Sequence, residues 1–159
     1  MTVAFNIVTY TGYALLTVAA MGFARERAGT QINAQAGLIW GICGFIAVQL
    51  APAMGLPPEL PGTVAAELAP RQMWWTGTII ATLVGLSVIA FARSMPLQFL
   101  GLVLVLVPHV IGAPHLDTYF GIAPPELSAE FATASLATAL IGWTMMGYFA
   151  GYFMSRGED

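Results

Sequence analysis

Two histidines and three carboxylates carry most of the chemistry open to this 159-residue sequence: His109, His115, Asp117, Glu59 and Glu126. Imidazole nitrogen and carboxylate oxygen together suit first-row divalent metals. His109, His115 and Asp117 follow one another closely along the chain. The two glutamates join them through a repeat: Gly55-Leu56-Pro57-Pro58-Glu59-Leu60 recurs as Gly121-Ile122-Ala123-Pro124-Pro125-Glu126-Leu127. Each copy follows one apolar run and precedes the next. The repeat is either a parallel duplication of helix pairs, of the kind transporters use, or Pro-Pro turn chemistry reached twice.

Pro108 and His109 lie inside an apolar run, not after it. Counted from Arg93 at ~1.5 Å per helical residue, His109 sits about 24 Å across a hydrocarbon layer of ~30 Å. Ionisable groups at that depth are costly, by ~2.5–3.5 kcal/mol on insertion scales for full charges, and by default mark function. The bland alternative is an imidazole hydrogen-bonded to a neighbouring helix. Pro108 cannot donate to the carbonyl of Leu104, and Pro114 disfavours a helical Ala113, so residues 108–114 are expected to be kinked or unwound. Such backbone is tolerated in a membrane only where it is buried or lines a cavity. His115 and Asp117 fall in a loop, where solvated polar side chains are ordinary. Glu59, Glu126 and Glu130 have an ordinary role too, since carboxylates near a helix N-terminus are stabilised by its dipole, and Ser128 is the expected N-cap of the last helix. Glu67 and Arg71 stand four apart and would pair on a short helix over 63–71.

Five apolar runs must position these residues: about 3–24, 35–54, 73–92, 97–112 and 129–154. With 58% hydrophobic and 8% charged residues, no lysine and a mean hydropathy of +0.78, the composition is that of a membrane protein. Each run is long enough, or nearly so, to cross a bilayer as a helix. The expected fold is all-α: one polytopic helical domain over residues 1–159 with about five transmembrane helices. Arg25, Arg27, Arg93 and Arg156 fall in gaps that would share one face, whereas Glu59, Glu67, Asp117, Glu126 and Glu130 fall toward the other, with Arg71 the exception. The positive-inside rule then places the N-terminus outside and the C-terminus in the cytoplasm. The first run lacks a preceding basic residue and is followed by Arg25-Glu26-Arg27, which reads as a retained helix and not a cleaved signal. Trp74-Trp75 reads as an interfacial anchor.

Small residues recur every four positions: Gly37 and Gly41; Gly77, Ala81 and Gly85; Ala134, Thr138 and Gly142; Gly147 and Gly151. In lipid such stripes let helix backbones approach closely. Cys43 alone excludes an intramolecular disulfide, and a net charge of −3 without basic clusters excludes nucleic acid as a partner. Acyl-transfer, P-loop, dinucleotide and zinc-hydrolase signatures are absent, so an enzyme is not expected.

Trp40-Gly41 to Leu50-Ala51-Pro52, then Gly55-Leu56-Pro57-Pro58-Glu59-Leu60-Pro61-Gly62, Arg71-Gln72, Trp74-Trp75 and Pro108-His109-Val110-Ile111-Gly112-Ala113-Pro114 together resemble the CbtA family of probable cobalt transporter subunits. The resemblance covers about residues 6–154. It implies a subunit of the bacterial inner membrane that serves cobalt uptake and works with a small single-helix, histidine-bearing partner, CbtB. Co2+ or Ni2+ is then the expected ion for His109, His115, Asp117, Glu59 and Glu126. Members of that family usually begin with a further transmembrane helix and an external segment, neither of which is found here. An N-terminus placed outside is what their loss would leave behind. The alternative function is a non-transporting accessory subunit of a larger membrane complex, with His109 ligating a haem or a chlorophyll-type pigment.

Overall fold

The computed structural model describes residues 2–116 and 123–157 and contains only helices and their connections among them. We number five helices. α1 spans Thr2–Ala28, α2 Ala34–Ala53, α3 Leu68–Phe91, α4 Met95–Ile111 and α5 Pro125–Arg156. Three, α1, α2 and α3, are long and apolar enough to cross a membrane, and α4 is a shorter apolar helix of 17 residues. Their outer faces are covered with large apolar side chains, among them Phe5, Leu15, Phe99 and Val110, a surface that water would not tolerate and acyl chains do. Several hydroxyls on these helices turn back on their own backbone, as Thr11 does to the Ile7 carbonyl and Ser87 to that of Leu83. That satisfies them where no water is available.

The ends differ from the hydropathy runs wherever backbone chemistry outranks side-chain polarity. α3 opens at Leu68 and not at 73, carrying Arg71 in its first turn, and residues 63–67 are not helical. α5 opens at Pro125, four residues earlier than expected, because proline suits the first helical position, where no N–H is needed. Ser128 therefore lies within the helix, its Oγ directed back to the Pro124 carbonyl, and is not an N-cap. α1 stops at a glycine: Gly29 has φ 63° and donates to the Arg25 carbonyl. α2 widens into a π turn over Ile46–Leu50 just before Pro52, which has no N–H to continue the ordinary ladder.

The chain gathers into two compact units. One comprises Met1–Phe45 with Leu140–Asp159. Here Gly37 and Gly41 of α2 lie directly against Gly147 and Gly151 of α5, so close that a Cβ on any of the four would strike backbone. Trp143 fills the neighbouring space, stacked on Tyr13 at 4.8 Å between ring centres and pressed against Gly44. Gly142 faces the Tyr10 ring, whereas Ala134 and Thr138 are exposed and take no part in such packing.

The second unit comprises Ile46–Ala139. α3 and α4 pack antiparallel through Gly85 and Gly101, where an added Cβ on either would meet the other's carbonyl oxygen within 2.7 Å. Of the expected stripe on α3, Gly77 has open space around it and only Gly85 makes a close crossing. Thr78, Thr82 and Gly85, spaced i, i+4 and i+7, are buried on one face.

A valine at Gly147 has no room against Gly37 and Gly41, so Gly147→Val should destabilise the fold by about 1–3 kcal/mol, the cost of overpacking. Gly77→Ala should be neutral or stabilise by up to about 1 kcal/mol, because only helix propensity changes. Unfolding by denaturing detergent checks both, and equal effects from the two would refute the crossing.

Candidate functional site

Within the second unit, a cavity of about 670 Å3 lies where the α2–α3 connection, the first turn of α3, the segment after α4 and the first turns of α5 meet. Turn chemistry builds its walls. Gly55 is pressed between the Trp74 indole and Ala113, where a Cβ would approach either to under 3 Å, so only glycine fits. The chain then turns at Leu60-Pro61-Gly62-Thr63: Thr63 donates both its N–H and its hydroxyl to the Leu60 carbonyl, and Gly62 has φ 88°. Proline followed by a glycine at positive φ is the requirement of a type II turn. This turn carries Glu59 toward α3.

Arg71 meets it there. Arg71 Nη2 donates to Glu59 Oε2 at 2.8 Å, and both side chains line the cavity. The pairing expected from sequence, Glu67 with Arg71, is not formed. Glu67 is the N-cap residue of α3, with ψ 141°, so its side chain leaves the helix surface before an i,i+4 contact with Arg71 can be made. Three residues on, the Trp74 indole donates from Nε1 to the Pro108 carbonyl at 3.0 Å. Trp74 is therefore a strut between α3 and α4 and not a free interfacial anchor, while Trp75 is exposed.

The end of α4 corrects a second expectation. The helix passes through Pro108 and His109 without a break and stops at Ile111, where Gly112, φ 85°, donates to the same Pro108 carbonyl. Unwinding begins at 112 and not at 108. His109 is half-buried, with its ring edge-on to Trp74 at 6.0 Å.

The five expected ligands are thus distributed unevenly. Glu59 and His115 line the cavity; His109 is on α4 against Trp74, and Glu126 is exposed in the first turn of α5. Asp117 lies outside the described residues. Among the described residues no three His, Cys, Asp or Glu side chains are grouped to hold a metal ion. The two copies of Pro-Pro-Glu-Leu also differ: Pro57 to Leu60 are non-helical, whereas Pro125 to Leu127 begin α5.

A family model described as a probable cobalt transporter subunit, CbtA, matches residues 1–155. The chain belongs to the CbtA family. No curated protein and no solved structure matches it. Apolar helices and the family together make this CbtA chain a membrane protein of cobalt transport. The segments Gly55 to Gly62 and Pro108 to Pro114, which carried the resemblance in sequence, meet around Trp74 in the structure. Arg71 is the cavity residue that sequence misassigned. Its one signal was its place on the acidic side of the chain, against the charge rule.

Trp74→Phe keeps the ring but removes the donor to Pro108. A lost hydrogen bond of this kind costs about 0.5–1.5 kcal/mol. Hydrogen exchange of the Gly112 amide, bound to the same carbonyl, should speed up while α1 amides do not change; unchanged exchange at Gly112 would show that the indole does not hold the end of α4.

Proposed function

We propose that this chain is the integral membrane subunit of a bacterial cobalt-uptake system, set in the inner membrane with its N-terminus outside and its C-terminus in the cytoplasm. The observation that carries the proposal is the family match over residues 1–155. The cavity beside Glu59 is the place where a divalent cation first meets the protein. Glu59 offers carboxylate oxygen and His115 imidazole nitrogen, with Asp117 two residues further along the chain. Two ligands do not make a storage site. The arrangement suits transient contact with Co2+, or with the closely similar Ni2+, and completion of the coordination shell by water or by a small histidine-bearing partner helix. His109 and Glu126 take part only where such a partner brings further donors. The role is transport, not catalysis.

Cells expressing this chain together with its single-helix partner should accumulate radioactive cobalt, and Glu59→Ala should lower the initial rate several-fold with the protein still inserted in the membrane. Undiminished uptake in that variant would remove the cavity from the route. A Soret or red absorption band co-purifying with the chain would instead favour a pigment-binding accessory subunit. Cysteines placed at Thr63 and Ser155 should label from opposite sides of sealed vesicles; labelling of both from one side would overturn the orientation.

A further inference from the structure

The Glu59–Arg71 pair stands inside the cavity, and we propose that it is a charge filter: Arg71 is a built-in competing cation that a divalent ion displaces from Glu59 and a monovalent ion does not. The inference rests on the transport reading for its physiological meaning but makes its own demands on binding. Among the described cavity residues, Glu59 supplies the carboxylate and Arg71 the guanidinium. They touch through Nη2 and Oε2 at 2.8 Å, with side chains 24% and 34% exposed. Pairs this open to solvent are weak and exchange readily.

Displacement is then decided by charge. At a given distance and dielectric a dication attracts the carboxylate twice as strongly as a guanidinium does. A metal ion also approaches carboxylate oxygen more closely, to about 2.0–2.2 Å. Sodium or potassium brings no more charge than Arg71 already supplies, and meets a competitor tethered beside the carboxylate. Arg71 is fixed by α3: its N–H is bonded to the Glu67 carbonyl, and Trp74, one turn on, is tied to Pro108. Its backbone is held in place, so the displaced side chain stays tethered within reach of Glu59. Its charge stays beside the arriving ion and keeps the ion loosely held, which favours passage over storage. The cavity, at about 670 Å3, also has room for an ion with a full shell of six waters at ~30 Å3 each.

The test is equilibrium binding of radioactive Co2+ to the full chain in lipid nanodiscs, at constant ionic strength, with either Na+ or N-methylglucamine as the other cation. The wild-type dissociation constant should be the same in both. Arg71→Gln should bind Co2+ roughly three- to tenfold more tightly in N-methylglucamine and lose most of that gain in Na+. Arg71→Lys should follow the wild type, because the charge and not the fork geometry is the filter. Glu59→Gln should weaken binding at least tenfold in either medium. The filter is refuted if Arg71→Gln leaves affinity and sodium sensitivity unchanged, if Arg71→Lys behaves like Arg71→Gln, or if Glu59→Gln binds as the wild type does. Should Arg71→Gln fail to fold, Arg71→Met takes its place, with the same expected and refuting results. Cobalt accumulation in cells separates the two ideas: wild-type binding with the filter intact but no accumulation sinks the transport reading alone. Accumulation with sodium-insensitive binding in Arg71→Gln sinks the filter alone.

Discussion

Close backbone contact at glycine is the constraint on which the packing of this chain depends. In lipid, leucine gains little by leaving acyl tails for a neighbouring helix, so dispersion between backbones and small side chains must hold the helices together. Each compact unit has one such contact: Gly37 and Gly41 with Gly147 and Gly151 in the first, Gly85 with Gly101 in the second. In the second unit the consequences reach the cavity directly. The Gly85–Gly101 crossing sets the register of α3 against α4, that register carries Trp74 to the Pro108 carbonyl, and Arg71, one turn before Trp74, is thereby delivered to Glu59.

The helices themselves were legible because lipid imposes a long apolar run on anything that crosses it. Legibility failed where hydropathy was asked to locate a helix start. Arg71 and Glu126 are polar and so fall outside the apolar runs, yet both lie in first turns, where charge is tolerated at the membrane edge. The π turn in α2 left no trace in hydropathy at all, since Ile46 to Leu50 is as apolar as any ordinary helical turn apart from Gln49.

The chemistry was harder to read than the fold, for a geometric reason. Residues near in sequence, His109 with His115 or Glu67 with Arg71, were expected to be near in space. The end of α4 at Ile111 separates His109, on a regular helix, from His115, in the segment that lines the cavity. The extended N-cap at Glu67 likewise parts it from Arg71 and leaves the guanidinium for a partner 12 residues upstream. What the sequence did reveal was the set of segments involved, because Gly55, Pro61-Gly62 and Gly112 mark backbone that other residues cannot adopt or enter.

Prolines lie inside two of the helices that contribute to the second unit, Pro52 in α2 and Pro108 in α4, and both are buried. Each removes a donor that a membrane helix cannot recover from water. α2 responds by widening into the π turn, a change within its own backbone. α4 keeps its helical path, and α3 braces its end with the Trp74 indole, which shares the Pro108 carbonyl with the amide of Gly112. α3 thus supplies both the strut that fixes the end of α4 and, one turn earlier, the cation that faces Glu59. The cavity and the end of the helix that flanks it are thus built on four residues of a single α-helix, Arg71 to Trp74.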